Sequence, residues 1–175
     1  MITLDCQDLE SHIRAHRKSV FWRLLDGSLD FVFVKDTDSR FLYSNRAHLR
    51  HLQLSEEQLL GKNDLELYPV EYAREFYADE TRLFGDQLPV IKLEANRQQS
   101  GQRFYTLTIK QIVASTQGQV LGLFGISRRV SAIDREELLV ARDQLIELVE
   151  HDLEGTITQA QLATLRASFA ALQIS

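Results

Sequence analysis

Cysteine is almost absent from this 175-residue chain: Cys6 is the only one. An intrachain disulfide and a cysteine-rich metal site are therefore excluded, and Cys6 reads as an incidental or buried thiol. Proline is nearly as scarce, with Pro69 and Pro89 both in the middle third. Long apolar runs are missing too. The longest, Val120 to Ile126, is far too short to cross a bilayer. The start, Met1 to Asp8, lacks the basic residues and apolar core of a signal peptide, which predicts a cytoplasmic protein that keeps off membranes. Nor is there an excess of positive charge. The net charge is -5, and binding to duplex nucleic acid rests on clustered Lys and Arg that neutralise phosphates, so nucleic acid is not expected as a direct partner. Phosphate-cradling glycine loops, His-Glu-x-x-His and Gly-x-Ser-x-Gly do not occur, and the chain is read as not itself an enzyme.

What is present is an apolar share of 44% beside 26% charge, the balance of a globular domain. Leu9, Ile13, Val20 and Leu24 recur at helical spacing and predict one amphipathic helix from Leu9 to Leu25. Phe31 to Val34 and Phe41 to Tyr43 flank the turn-forming stretch Asp36 to Ser39 and predict a hairpin. Ser44 or Asn45 can cap the helix that follows. Ser55 with Gln58 fits a capping box. A longer helix is expected after Pro69, carrying Ala73, Phe76, Tyr77, Glu80 and Phe84 on one face and stopping near Gly85. Three strands follow, at 90–95, 102–114 and 120–128, joined by short polar turns. Antiparallel strands with helices grouped between them predict an α+β layered fold.

The stretch from Asp30 to Ser131 resembles a PAS domain, a sensor module common in bacterial signalling. The resemblance rests on five segments in order: Asp30-Phe-Val-Phe-Val-Lys-Asp36, Arg40-Phe-Leu-Tyr-Ser-Asn45, Leu54-Ser-Glu-Glu-Gln-Leu-Leu-Gly-Lys-Asn-Asp64, Pro69 to Pro89, and Gly118-Gln-Val-Leu-Gly-Leu-Phe-Gly-Ile-Ser127. It implies a five-stranded antiparallel sheet of order 2-1-5-4-3 with helices cupped over one face and any ligand between the two. The expected division is an N-terminal helix at 1–27, a sensor domain at 28–131 and a helical signalling segment at 132–175. The family's Asp-Ile-Thr element at the end of the last strand is matched here by Arg129-Val130-Ser131, a base for the acid.

No cofactor is assigned. The reactive Cys of photoactive flavin-binding members has no counterpart in Gly61 to Leu67, and the His that haem-binding members carry on the long helix has none in Val70 to Phe84. His48 and His51, three apart on the preceding helix, read as solvated surface residues. Strand alternation, oriented by the resemblance, places Phe104, Thr106, Thr108, Lys110, Gly122 and Phe124 on the inner face. With Phe76 they form the candidate ligand-binding set. Buried Lys110 needs a partner, and Asp64, Glu66 or a small carboxylate ligand can supply it. Tyr105, Leu107, Ile109, Leu121 and Leu123 form an apolar outer face, which calls for a cover. With Ile13, Val20 and Leu24 they make the candidate homodimer interface.

Leu138, Ala141, Leu145 and Leu148 are spaced 3, 4 and 3, a short coiled-coil seam. A helix from Ile133 to His151 spans roughly 28 Å, enough to pass a signal to an effector or kinase domain. His151-Asp152-Leu153 resembles the phosphoacceptor box of sensor histidine kinases, but Glu150, Asp152 and Glu154 disfavour a phosphoryl group there. Gln161 stands where a calcium loop needs its last acid. The reading is a dimeric sensory and regulatory module that binds a small molecule. The alternatives are a ligand-free dimerisation module or a degenerate phosphoacceptor segment.

Overall fold

Asp36 closes the first hairpin. Its carboxylate accepts from the backbone N–H groups of Asp38 (2.9 Å) and Arg40 (2.8 Å), the local bonding that makes Asp a turn former. The computed structural model describes residues 1–97 and 103–130. The hairpin's strands, β2 (Phe31–Lys35) and β3 (Phe41–Ser44), pair antiparallel, and β2 also pairs antiparallel with β6 (Val120–Val130). The remaining strands are β1 (Ile2–Leu4), β4 (Val90–Arg97) and β5 (Arg103–Ser115).

The chain divides into two units: Met1–Val90 with Thr108–Arg128, and Ile91–Leu107 with Arg129–Ser175. In the first unit the sheet path runs β1-β5-β6-β2-β3; in the second, β4 pairs with β5 off that path. The α+β class is as expected. The order differs from 2-1-5-4-3 by the added strand β1, which pairs parallel with the end of β5 through Ile2 to Leu4 against Val113 to Ser115. Three residues carry no periodic signal of their own, so sequence patterning misses this strand.

The inner helices are α3 (Arg46–Leu52), α4 (Glu56–Leu59) and α5 (Val70–Asp86), with a 3-10 turn at Asp64–Glu66. Asn45 caps α3 by accepting from the His48 N–H, and Ser55 with Gln58 completes the capping box of α4. Helix α5 runs past Gly85 and stops at Gln87, which takes a left-handed conformation at φ 55°. Leu59, Leu83, Phe33, Phe41, Ile112 and Leu123 build the inner core.

The predicted first helix is two helices, α1 (Leu9–His16) and α2 (Val20–Gly27). The chain turns at Arg17–Ser19, and the Ser19 N–H closes on the His16 carbonyl at 2.8 Å. The break rotates the apolar stripe. Leu9 and Ile13 bury against the outer sheet face with Val32, Val34, Val113 and Leu121, and α2 buries Trp22 instead of Val20 and Leu24. Those two stand 63% and 69% exposed. The chain's own α1 therefore covers the outer face at Leu121, with Ile13 packed in that cluster.

Past Gly122 the predicted facing of β6 inverts. Leu121 lies in the outer cluster and Leu123 in the inner one, with Phe124 and Ile126 outer again. Gly122 sits at φ 155°, and a Cβ there would lie 2.1 Å from the Lys35 carbonyl oxygen. Glycine alone fits this approach, and the strand loses its period-2 phase at that residue.

Arg17 ties the N-terminal helices to the core. Its guanidinium pairs with Asp26 (2.9 Å) and Glu56 (3.3 Å) and lies 4.7 Å from the Tyr43 ring centroid. Arg17→Ala is expected to cost about 1–2 kcal/mol, read as a lower urea midpoint at unchanged slope. A changed slope would instead mean that the helices leave the sheet.

Candidate functional site

Lys35 ends β2 on the face shared by Phe31 and Phe33, so its ammonium points into the inner core. Glu80 meets it from α5 at 2.6 Å. Asp64, in the 3-10 turn, is its other partner. Lys110, from β5, reaches the same Glu80 oxygen at 3.3 Å. Two ammoniums and two carboxylates thus meet inside the protein, from four separate elements, and Glu80 is 0% exposed. Lys35 Nζ also lies 4.5 Å from the Phe41 ring centroid, and Lys110 Nζ 5.4 Å from that of Phe76.

The two acids respond differently. Burial pushes the Asp64 carboxyl up, and Lys35 offsets this only in part. Burial acts in the same direction on Glu80, but Lys35 and Lys110 outweigh it and hold that carboxyl below its ordinary value. Both ammoniums reach Glu80 at one oxygen, whereas Asp64 bonds Lys35 and feels Lys110 only through space, with Glu80 facing it as a like charge.

His48 is not a surface residue. It is buried on α3, with Nδ1 sharing a hydrogen bond with Ser44 Oγ (2.7 Å) and Nε2 with the Tyr68 hydroxyl (2.9 Å). Its ring stacks on Phe31, as does that of half-buried His51. Burial, then His51 and Lys35, push the His48 imidazole down to about 3.

In the first unit the structure brings together two of the candidate ligand residues, Phe76 and Lys110, and Thr108 lies on the same strand as Lys110. Thr108 is buried and shares a hydrogen bond with Ser127 at 2.8 Å. Phe104 and Thr106 belong to the second unit. There Thr106 accepts from Asn96 at 2.9 Å, and Arg129 lies 4.2 Å from the Phe104 ring centroid. Gly122 abuts the Lys35 carbonyl, and Phe124 packs in the outer cluster, away from the inner face, for the phase reason given above. Among the candidate interface residues, Tyr105, Leu107 and Ile109 are partly exposed, and Leu123 belongs to the inner core. Of the partners considered for Lys110, Asp64 bonds Lys35, and Glu66 lies outside the cluster beside Arg40 at 3.6 Å.

Lys35 and Glu80 are not among the candidate site residues of the sequence. Both left a signal: Lys35 falls on the face of Phe31 and Phe33 at period 2, and Glu80 falls on the apolar face of α5 between Phe76 and Leu83. Among the described residues no group of His, Cys, Asp and Glu could hold a metal, and no helix is long and apolar enough to cross a membrane. The coiled-coil seam, His151 and the calcium-loop spacing lie outside the described residues.

The sequence model of the PAS fold matches residues 25–135, more than half of the chain. The chain belongs to the PAS family. Its PAS region is shared with curated signalling proteins. A diguanylate cyclase of Vibrio cholerae is 28% identical over 144 residues, which are 80% of this chain and 43% of that protein. The methanogenesis regulatory histidine kinase FilI of Methanothrix harundinacea is 26% identical over 148 residues, 78% of this chain and 16% of that protein. The chain thus spans less than half the length of these relatives. Among solved PAS structures, that of Bordetella pertussis BvgS matches with a TM-score of 0.60 at 22% identity, covering 78% of this chain and 98% of that one. VqmA bound to DPO matches with a TM-score of 0.57 at 18% identity, covering 90% of each chain. These structural likenesses show the fold.

Proposed function

We propose that this PAS chain is the sensory and regulatory part of a cytoplasmic signalling system. It dimerises, binds a small molecule between sheet and helices, and passes the change through its C-terminal segment to an effector or kinase domain. One observation carries this reading: the same segment recurs in a cyclase and in a histidine kinase. A part shared by proteins with different chemistries supplies control, not either chemistry, so the role of this chain is regulatory. Two features support the details. Lys35, Asp64, Glu80 and Lys110 join four elements at one buried point, so a ligand there would bear on all four. Val20, Phe21, Leu24 and Leu29 expose an apolar surface on and beside α2, which a second copy would cover. Ligand binding would then shift a pre-existing equilibrium.

A purely structural dimerisation module is the second reading. The tight inner core at Leu59, Leu83, Ile112 and Leu123, each at most 1% exposed, favours it. Native mass spectrometry on freshly purified protein, with an absorbance spectrum, separates the two. The expected result is a dimer with a small non-covalent adduct. A bare dimer in every preparation supports the structural module, and a bare monomer removes both readings.

A further inference from the structure

The first unit carries a groove of about 320 Å³ that shares no residue with the Lys35 cluster. Three places in the chain wall it: the start of α1, the turn between β2 and β3, and the start of β6. Its apolar lining is Leu9, Leu42, Val120 and Leu121. Leu9 and Leu121 belong to the buried outer cluster and Leu42 packs against it, so the packing of the fold sets this wall. The volume falls at the lower end of the roughly 300–1,000 Å³ of small-molecule clefts.

Charge narrows the occupant. Asp8, Glu10 and Asp36 also line the groove, and no Lys, Arg or His does. Glu10 is paired with Arg14 at 2.6 Å on the open surface, and Asp8 feels Arg14 only through space. The Asp8 carboxylate accepts from the Glu10 and Ser11 N–H groups and from the Ser11 hydroxyl. It thereby covers the N–H groups of α1 that could otherwise attract an anion. Half-buried Asp36 spends Oδ1 on the N–H groups of Asp38 and Arg40, and no described residue forms an ion pair with it. An anion would meet a carboxylate on either wall, whereas a cation meets its counter-charge. A cleft walled by one sign of charge also raises the local concentration of the opposite ion. We infer that this groove binds a small aliphatic amine in its ammonium form, with the ammonium at Asp36 and the alkyl chain along Leu42, Val120 and Leu121. The ammonium makes the charge-assisted kind of hydrogen bond with the carboxylate, and the chain leaves water for an apolar wall.

The test titrates the full chain, isotope-labelled for NMR, with pentylamine, pentanol and pentanoate at pH 7.5. The amine is charged at that pH, as a lysine is. The expected result is that pentylamine binds tenfold or more tightly than pentanol, and pentanoate more weakly than either. The shifted backbone amides should centre on Asp8, Leu9, Asp36, Thr37 and Leu121. Asp36→Asn keeps a side-chain oxygen for the turn and removes the charge, and Asp8→Asn does the same for the cap of α1. The double variant, shown to be folded by circular dichroism, should bind amine and alcohol alike. If it does not fold, the map of shifts in the wild type still decides. Pentanol that binds as tightly as pentylamine overturns the ammonium class. Shifts centred elsewhere, or a preference for the amine kept by the folded double variant, put the amine at another site and overturn the inference. So does a failure of the amine to bind. Each of these outcomes leaves the reading of a ligand between sheet and helices standing.

Discussion

Replacing Lys35 with methionine is expected to lower the unfolding free energy by about 3–5 kcal/mol. The loss follows from what remains, because Asp64 and Glu80 stay buried with only Lys110 between two carboxylates. The stability of a whole domain is about 5–15 kcal/mol, so the variant should sit close to unfolding at room temperature. Removing Asp64 as well should restore much of the loss. Lys35→Met with Asp64→Leu leaves Glu80 still bonded to Lys110, and apolar side chains replace buried ions at little net cost. Urea denaturation of the wild type, both single variants and the double variant gives the coupling directly. A cost under about 1 kcal/mol for Lys35→Met would show that water reaches these charges, as in a surface ion pair.

Acidification from pH 6.5 to pH 5 is expected to remove about 2 kcal/mol through His48 alone. In the unfolded chain an imidazole takes up its proton near pH 6.5. In the fold His48 stays neutral down to about 3. Its folded pKa is lower, so between these limits the unfolded state binds one proton more than the folded state. Stability then falls by about 1.4 kcal/mol per pH unit as the pH drops. His48→Gln keeps polar atoms that can face Ser44 and Tyr68 but cannot titrate. The variant should be less stable at pH 7.5, and the gap to wild type should narrow steadily below pH 6.5. Parallel stability curves for the two proteins between pH 7 and pH 5 would show instead that the imidazole titrates equally in both states.

Local chemistry made much of this fold legible in the sequence. Asn45 before α3, the Ser55 and Gln58 pair, and the acidic turn between Phe31 and Phe41 act on their own neighbours, and each stands where its residue type predicts. The failures share a cause, since each depends on a partner distant in the chain. Leu9, Ile13, Val20 and Leu24 keep a helical count across the Ser19 break, so periodicity cannot show that α2 is turned to bury Trp22. His48 is inside because Phe31 and Tyr68 close over it. At the site, alternation placed Lys110 indoors and made a partner obligatory. The choice of Glu80 over Asp64 or Glu66 was set by how α5 lies on the sheet. Lys35 obeys the same alternation, but it follows an unbroken apolar run, Phe31 to Val34, in which both faces look alike.

Gly122 limits how mechanical force can travel through the sheet. The Lys35 carbonyl occupies the space where any other residue would carry its Cβ, and a slip of β6 by one residue would drive Leu121 or Leu123 onto that oxygen. Such a slip would also exchange the cores that these side chains fill. The strand therefore cannot work as a piston against β2. A push along β6 meets that backbone contact before the strand can slide against β2.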